Sequence, residues 1–461
     1  MNLMVPSTCP KTSLMERPAV RIPLDDALAI LARVACRVAD RVADRARNLP
    51  RRTVAALAGG AAAYALLYAR AARRPRLTLG NEPSLVRSIV ERCASLRAVY
   101  WPHPFHVLCG TLGTVYQGTR MPFAAAGLVV PFVEQIALED GGTVALSWWR
   151  CPAAARRTDV AVVLPGLNNS SETGFVRALL QRLDAAGFLA VCYDWRGVGA
   201  SGPLTSDRPY SADAWRDLDD VFDHVRAEVG PRCRLFLVGQ SLGGSILTKF
   251  LAETRTPYPV LAAAASVSAP RAFAKANASL ASGVVNKIQN FAMTLPMKLG
   301  YALQTDPRAY DARVLRATSI RDIETALICG PWGHADADAY YRANDASEEL
   351  HRVGAPYLVL AARDDNVIDF SDSNPCPDAS LVAQNPELVA CATTKVGGHL
   401  SYLDLRGASW ADKACVEFFA RAAAVVPPVD GDAPPPRRPS ATPKAPRMKK
   451  RPSVKGMLIG M

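Results

Sequence analysis

No two of the eleven cysteines stand at C-x-x-C spacing, and the count is odd. Scattered from Cys9 to Cys415, they argue against a disulfide framework and against a cysteine-based zinc site. A reducing, cytosol-like surrounding is the expectation. Three N-x-S/T patterns begin at Asn168, Asn169 and Asn277. The first two fall in a loop assigned below to the active site, where a glycan would block the pocket. Excess positive charge is missing from the middle of the chain. Residues 1–80 hold 14 Lys/Arg against 5 Asp/Glu, and residues 426–461 hold 8 against 2. With +12 overall, residues 81–425 are left at −3. That argues against a nucleic-acid-binding core and for basic flanks that meet an anionic surface such as lipid headgroups.

Charge is absent altogether from Thr53 to Ala69, TVAALAGGAAAYALLYA. As a helix these 17 residues span about 25 Å, the low edge of a bilayer crossing. Residues 53–69 are therefore read as a transmembrane helix, ahead of a buried helix or a targeting segment, with the globular part facing a cytosol-like compartment. Four arginines lie on either side (45–52 and 70–76), so charge does not orient it. Residues 1–52 form a basic segment. In it Leu24, Leu28, Leu31, Ala35, Val38 and Val42 make a helical stripe opposite Arg33, Arg37, Arg41 and Arg45. A membrane-surface helix, a packing helix and a targeting segment all fit this pattern. Residues 426–461 are proline-rich and basic and read as a disordered tail.

What is present between these flanks is an alternation. Residues 133–138 and 144–149, joined by Glu139-Asp-Gly-Gly142, read as a hairpin. Short apolar runs at 159–164, 188–193, 235–238, 260–267, 356–361 and 388–393 read as buried strands. Helical stretches fall between them, at 171–186, 213–229, 243–254 and 409–424. This pattern implies a mostly parallel sheet covered by helices on both faces. Residues 271–345 interrupt the rhythm with helical sequence, placed as a cap over the carboxyl edge of the sheet. The domain is drawn at 95–425.

The chain is organised around Gly239-Gln-Ser241-Leu-Gly243, a G-x-S-x-G turn between a strand and a helix. A serine hydroxyl needs a base to take its proton, and the base needs a carboxylate to orient it. Candidates follow in that order. The strand at 356–361 runs into Arg363-Asp364-Asp365, and the strand at 388–393 is followed by Gly397-Gly398-His399. Of the six histidines, only His399 follows the last strand on a glycine turn. Asp365 is preferred to Asp364 because it lies further past its strand; Asp364 would hold the loop. Leu242 and Leu167 supply the N–H groups for an oxyanion, with Asn168 and Asn169 supporting the loop or lining the pocket. His103 and His106 are assigned to packing or hydrogen bonding. No metal or cofactor is expected.

These motifs, with Pro165-Gly-Leu167, Asp194-Trp-Arg-Gly-Val-Gly199, Gln384-Asn-Pro386 and Gly397-Gly-His-Leu400, resemble the α/β-hydrolase superfamily. More narrowly they resemble its AB hydrolase 4 branch, the YheT-like esterases and membrane-anchored eukaryotic lipases. The resemblance covers roughly 95–425. It implies an α/β-hydrolase fold and esterase, acylglycerol lipase or phospholipase activity, often with an N-terminal anchor. It also implies that the second aspartate, matching Asp365, is the triad member. Two departures stand out: Asn168-Asn169 where relatives often have Thr-Gly, and Val367-Ile368-Asp369 in place of a proline. The expectation is a serine carboxylic-ester hydrolase acting on lipid or medium-chain acyl esters at a membrane. The rivals are an alcohol O-acyltransferase, for which His399 and Asp404 give an H-x4-D spacing, and a catalytically silent membrane-bound interaction protein.

Overall fold

The computed structural model describes residues 50–107, 110, 113–114, 132–155, 157–253, 260–305, 307–368 and 378–428. The expected stripe at 24–42, most of the basic tail and Asp369 lie outside them.

Nine strands form one sheet: β1 (Arg76–Thr78), β2 (Phe132–Ala137), β3 (Thr143–Trp148), β4 (Asp159–Leu164), β5 (Leu189–Asp194), β6 (Arg234–Gln240), β7 (Leu261–Val267), β8 (Tyr357–Ala362) and β9 (Val389–Thr394). Their order is β1-β9-β8-β7-β6-β4-β5-β3-β2. The six strands from β9 to β5 pair in parallel, and β1, β2 and β3 add antiparallel edges. Strand β1 lies upstream of residue 95, where the sequence reading begins the domain.

The apolar runs become strands because both faces of the sheet are covered. Along β4, Ala161 and Val163 join one core, and Val160, Val162 and Leu164 join the other. The first core is closed by α2 (Gly174–Ala185) and α8 (Trp410–Val425), through Leu179, Leu183, Phe418 and Phe419. The second is closed by α3 (Leu218–Val229) and α4 (Leu242–Glu253), through Phe222, Ile246 and Phe250. Each strand side chain thus has an apolar neighbour on whichever face the pleat sends it.

Between β7 and β8 the chain leaves the sheet. Helices α5 (Phe273–Ala281), α6 (Val284–Gln304) and α7 (Ala337–Asn344), with several short helical segments between α6 and α7, make the interrupting region. It has small cores of its own, one around Val314, Ala317 and Ile323, another around Phe273, Tyr340 and Tyr341.

Residues 53–69 do form a helix, α1 (Arg51–Ala71). Among the described residues, however, no helix is long and apolar enough to cross a membrane, and the transmembrane reading is corrected accordingly. The reason is compositional. Ten of the 17 uncharged residues are alanine or glycine, only four are large aliphatics, and arginines close both ends. The helix is instead tied to the domain near its C-terminal end. The hydroxyls of Tyr64 and Tyr68 donate to the carbonyls of Pro104 (3.0 Å) and Pro102 (2.8 Å), and Tyr68 stacks on Trp101.

Candidate active site

The site begins where β6 runs into α4. Between them Ser241 sits at φ +50°, a left-handed conformation that side chains other than glycine rarely adopt. The turn closes on itself because its glycines allow it. A Cβ at Gly239 would stand 2.5 Å from the carbonyl oxygen of Gly243, and one at Gly243 would collide with the carbonyl of Leu164. The N–H of Ser241 donates to Val267 of the next strand at 2.9 Å, which fixes the turn to the sheet.

The loops after β8 and β9 meet this turn. Ser241 Oγ lies 2.7 Å from His399 Nε2. Nδ1 of the same ring faces both carboxylate oxygens of Asp365, at 3.1 and 3.0 Å. All three side chains are buried. Oδ1 of Asp365 also accepts the backbone N–H of Val367 (2.9 Å) and Ile368 (3.3 Å), so the carboxylate is held by its own loop as well as by the imidazole. The structure therefore brings together Ser241, Asp365 and His399 from three loops at the carboxyl ends of β6, β8 and β9.

Asp364 points elsewhere. Its Oδ1 accepts the N–H of Gly398 at 2.8 Å, and Oδ2 has no hydrogen-bond partner among the described residues. Burial pushes this carboxyl up to about 6, with the neighbouring Asp365 adding to the rise and the Gly398 N–H opposing it.

Three residues to which the sequence reading gave no role position the imidazole or the neighbouring loop. Thr114 Oγ1 accepts the N–H of His399 (3.0 Å) and faces its carbonyl (3.3 Å). Ser401 Oγ meets Nε2 of His106 at 2.9 Å; burial, with His103 adding, lowers His106 to about 4, so it works as a neutral hydrogen-bonding ring. Trp195 Nε1 donates to the carbonyl of Pro165 at 3.0 Å and holds the loop opposite the serine. Trp195 lies in the Asp194–Gly199 motif, so it was in view; nothing in the spacing of Thr114 marked it.

That loop abuts the turn closely. A Cβ at Gly166 would lie 3.0 Å from Cβ of Ser241. Leu167 follows it, and Leu242 opens α4, where helix N–H groups have no intrahelical acceptor. Asn169 Nδ2 donates to the Leu167 carbonyl (2.9 Å), and Asn168, at φ +62°, donates to the carbonyl of Met293 in α6 (3.1 Å). The asparagines thus brace the loop and connect it to the region above. Asp404 is occupied differently: its Oδ1 accepts the N–H groups of Arg406 and Ala408, which makes it part of a tight turn. Away from the site, Glu134, His224 and Glu228 bring possible ligand atoms within 4.8 Å of one another, but His224 Nε2 already contacts Glu134 at 2.9 Å.

A serine on a strained strand–helix turn, facing a histidine and an aspartate from later strands of a mostly parallel sheet, defines an α/β-hydrolase. The chain belongs to that superfamily and, within it, to the AB hydrolase 4 branch. The family model described as serine aminopeptidase, S33 (Hydrolase_4) matches residues 155–387. Human phospholipase ABHD3 is 28% identical over 362 residues, 75% of this chain and 84% of that protein. The putative esterase YheT of Escherichia coli is 29% identical over 281 residues, 59% of this chain and 79% of that protein. Among solved structures, Est1E from Butyrivibrio proteoclasticus aligns with a TM-score of 0.40 and 14% identity, covering 63% of this chain and 99% of that one. The protein is an ester hydrolase.

Proposed function

We propose that the protein cleaves lipid or medium-chain acyl esters through an acyl-enzyme on Ser241. His399 takes the serine proton through Nε2 as the hydroxyl attacks the acyl carbonyl, then returns it to the leaving alcohol. Asp365 keeps the other ring proton on Nδ1 and stabilises the imidazolium formed in between. The N–H groups of Leu167 and Leu242 hold the oxyanion, and water attacking the acyl group regenerates the serine. The residues do this within a domain drawn at about 95–425, with β1 added upstream of it, and with the cap at about 271–345.

One observation carries the reading: a buried serine hydroxyl 2.7 Å from an imidazole whose far nitrogen is held by a buried carboxylate. The preference for lipid esters draws support from the relatives, which are named phospholipase and esterase, and from the apolar helices over the site. The test is a lipid profile taken after incubating the purified protein with mixed acylglycerols and phospholipids. The Ser241→Ala variant serves as the control. Fatty acid release that needs Ser241 supports the proposal. Equal profiles for the two proteins contradict it.

A further inference from the structure

Helix α6 is the longest element over the site, and among the described residues its outer side is uncovered. Val284, Ile288, Phe291, Leu295, Leu299 and Leu303 follow one another at steps of four, three, four, four and four, which keeps them on one face. Their exposures run from 43% at Phe291 to 76% at Leu303. Monomeric soluble proteins rarely leave a contiguous apolar surface of this kind open.

The opposite side of the same helix is polar and engaged. Asn168 of the loop beside Ser241 donates to the Met293 carbonyl. Asn366, the residue after Asp365, donates to Asn286 and Gln289. Gln304 accepts from the N–H of Leu204 and donates to the carbonyl of Gly197, both at 2.9 Å. Asn290 is buried and accepts the N–H of Ile320. The helix is thus pinned to the loops that carry the proposed oxyanion and acid residues, and among the described residues the apolar face is left free.

Charge says what covers that face. From Pro270 to Thr305 the sequence has Arg271, Lys275, Lys287 and Lys298 and not one Asp or Glu. Lys287 and Lys298 fall on the same edge of the apolar face, about three turns apart, and the Lys298 ammonium lies 5.7 Å from the centre of the Phe291 ring. An apolar strip edged by lysines matches a bilayer surface with anionic headgroups, where stems stay among acyl chains and ammonium groups reach the phosphates.

We infer that the outer face of α6 seats on an anionic lipid surface and sets the mouth of the site against it. This rests on the proposed lipid substrate only for its purpose; the binding itself is measurable without turnover. Seating the helix would leave its inner contacts intact, so the loops around Ser241 and Asp365 would be presented to the membrane as one unit.

The test uses the full chain carrying Ser241→Ala, so that no lipid is consumed, and sucrose-loaded vesicles of phosphatidylcholine with or without phosphatidylglycerol. The chain is expected to sediment with the phosphatidylglycerol vesicles more than with phosphatidylcholine alone. Adding Ile288→Glu and Leu299→Glu should lower the bound fraction by at least about tenfold. In the Ser241→Ala chain, amide exchange over 284–303 should slow when vesicles are added. On the active chain, Ile288→Glu/Leu299→Glu should keep its thermal midpoint and its rate on soluble p-nitrophenyl butyrate. Equal sedimentation of parent and double variant, or unchanged exchange over 284–303, overturns the inference. So does a parent dimer that the two substitutions dissociate without any vesicle effect, because a second copy then covers the face. Vesicle binding through α6 in a protein that hydrolyses no ester would sink the proposed function and leave this inference standing. Hydrolysis of soluble esters with no vesicle binding would do the reverse.

Discussion

The carboxylate of Asp364 accepts a 2.8 Å hydrogen bond from the backbone N–H of Gly398, the residue before His399. Its neighbour Asp365 takes the imidazole itself. Two adjacent acids therefore act on one histidine, one through its ring and the other through its loop. Asp365→Asn is expected to lower kcat by about 10³–10⁴, because the wrong tautomer leaves Nε2 unable to accept the serine proton. Asp364→Asn keeps an acceptor for Gly398 and should cost no more than about tenfold. Steady-state kinetics on p-nitrophenyl butyrate check both; equal losses would contradict the division of labour.

The turn carrying Ser241 has no room for a side chain at Gly243, where a Cβ would meet the carbonyl of Leu164. Gly243→Ala forces the backbone of the elbow to shift against β4. Such overpacking costs on the order of 2–4 kcal/mol and should abolish turnover. Urea unfolding and kinetics on the same preparation measure both effects. A variant that stays fully active would show that the turn is looser than its geometry indicates.

Trp195 holds the loop opposite the serine by a single bond to the carbonyl of Pro165. Trp195→Phe removes the donor and leaves a buried carbonyl without it, at a cost of about 1–3 kcal/mol. The expected kinetic mark is a fall in kcat of about tenfold with little change in KM, since the proposed oxyanion donors would act in the transition state. A change confined to KM would place Trp195 in substrate binding instead.

Glu324 is buried in the helical region between β7 and β8, where its carboxylate accepts a 2.6 Å hydrogen bond from the Tyr341 hydroxyl. Burial raises it from the usual 4.5 to about 7. The folded value lies above the unfolded one, so the stabilisation is complete below about pH 4.5 and is lost as pH rises through about 7. Glu324→Gln keeps an acceptor for Tyr341 and carries no charge. Relative to the native chain it should be more stable at pH 8 by about 1–3 kcal/mol, a difference that shrinks toward pH 4. Thermal unfolding across that range reads the trend, and a pH-independent difference would contradict it.

The sheet was legible because its strands are uninterrupted apolar runs; β4 falls at 159–164, as the sequence predicts. Other strands shift by a residue or two at their ends, as element boundaries do. The order serine, aspartate, histidine was legible because each follows a strand, so the topology gathers them at one edge. Strand β1 was missed: three residues, Arg-Leu-Thr, carry no period, and only pairing with β9 makes them a strand. Thr114 was missed because its partner is 285 positions away. The 53–69 segment misled because lack of charge is not the same as apolarity when most residues are alanine and glycine. Residues 271–345 read as helical, but the faces of α6 were not distinguished, since which side is free depends on the loops beneath it.

The account turns on Ser241 being the group that is acylated. Treating the native chain with a fluorophosphonate probe, followed by peptide mass mapping, tests this most directly. The account predicts one adduct, on the peptide bearing Ser241, which disappears in Ser241→Ala and forms far more slowly in His399→Ala. An adduct on another residue, or an unlabelled native chain that still hydrolyses esters, would contradict it.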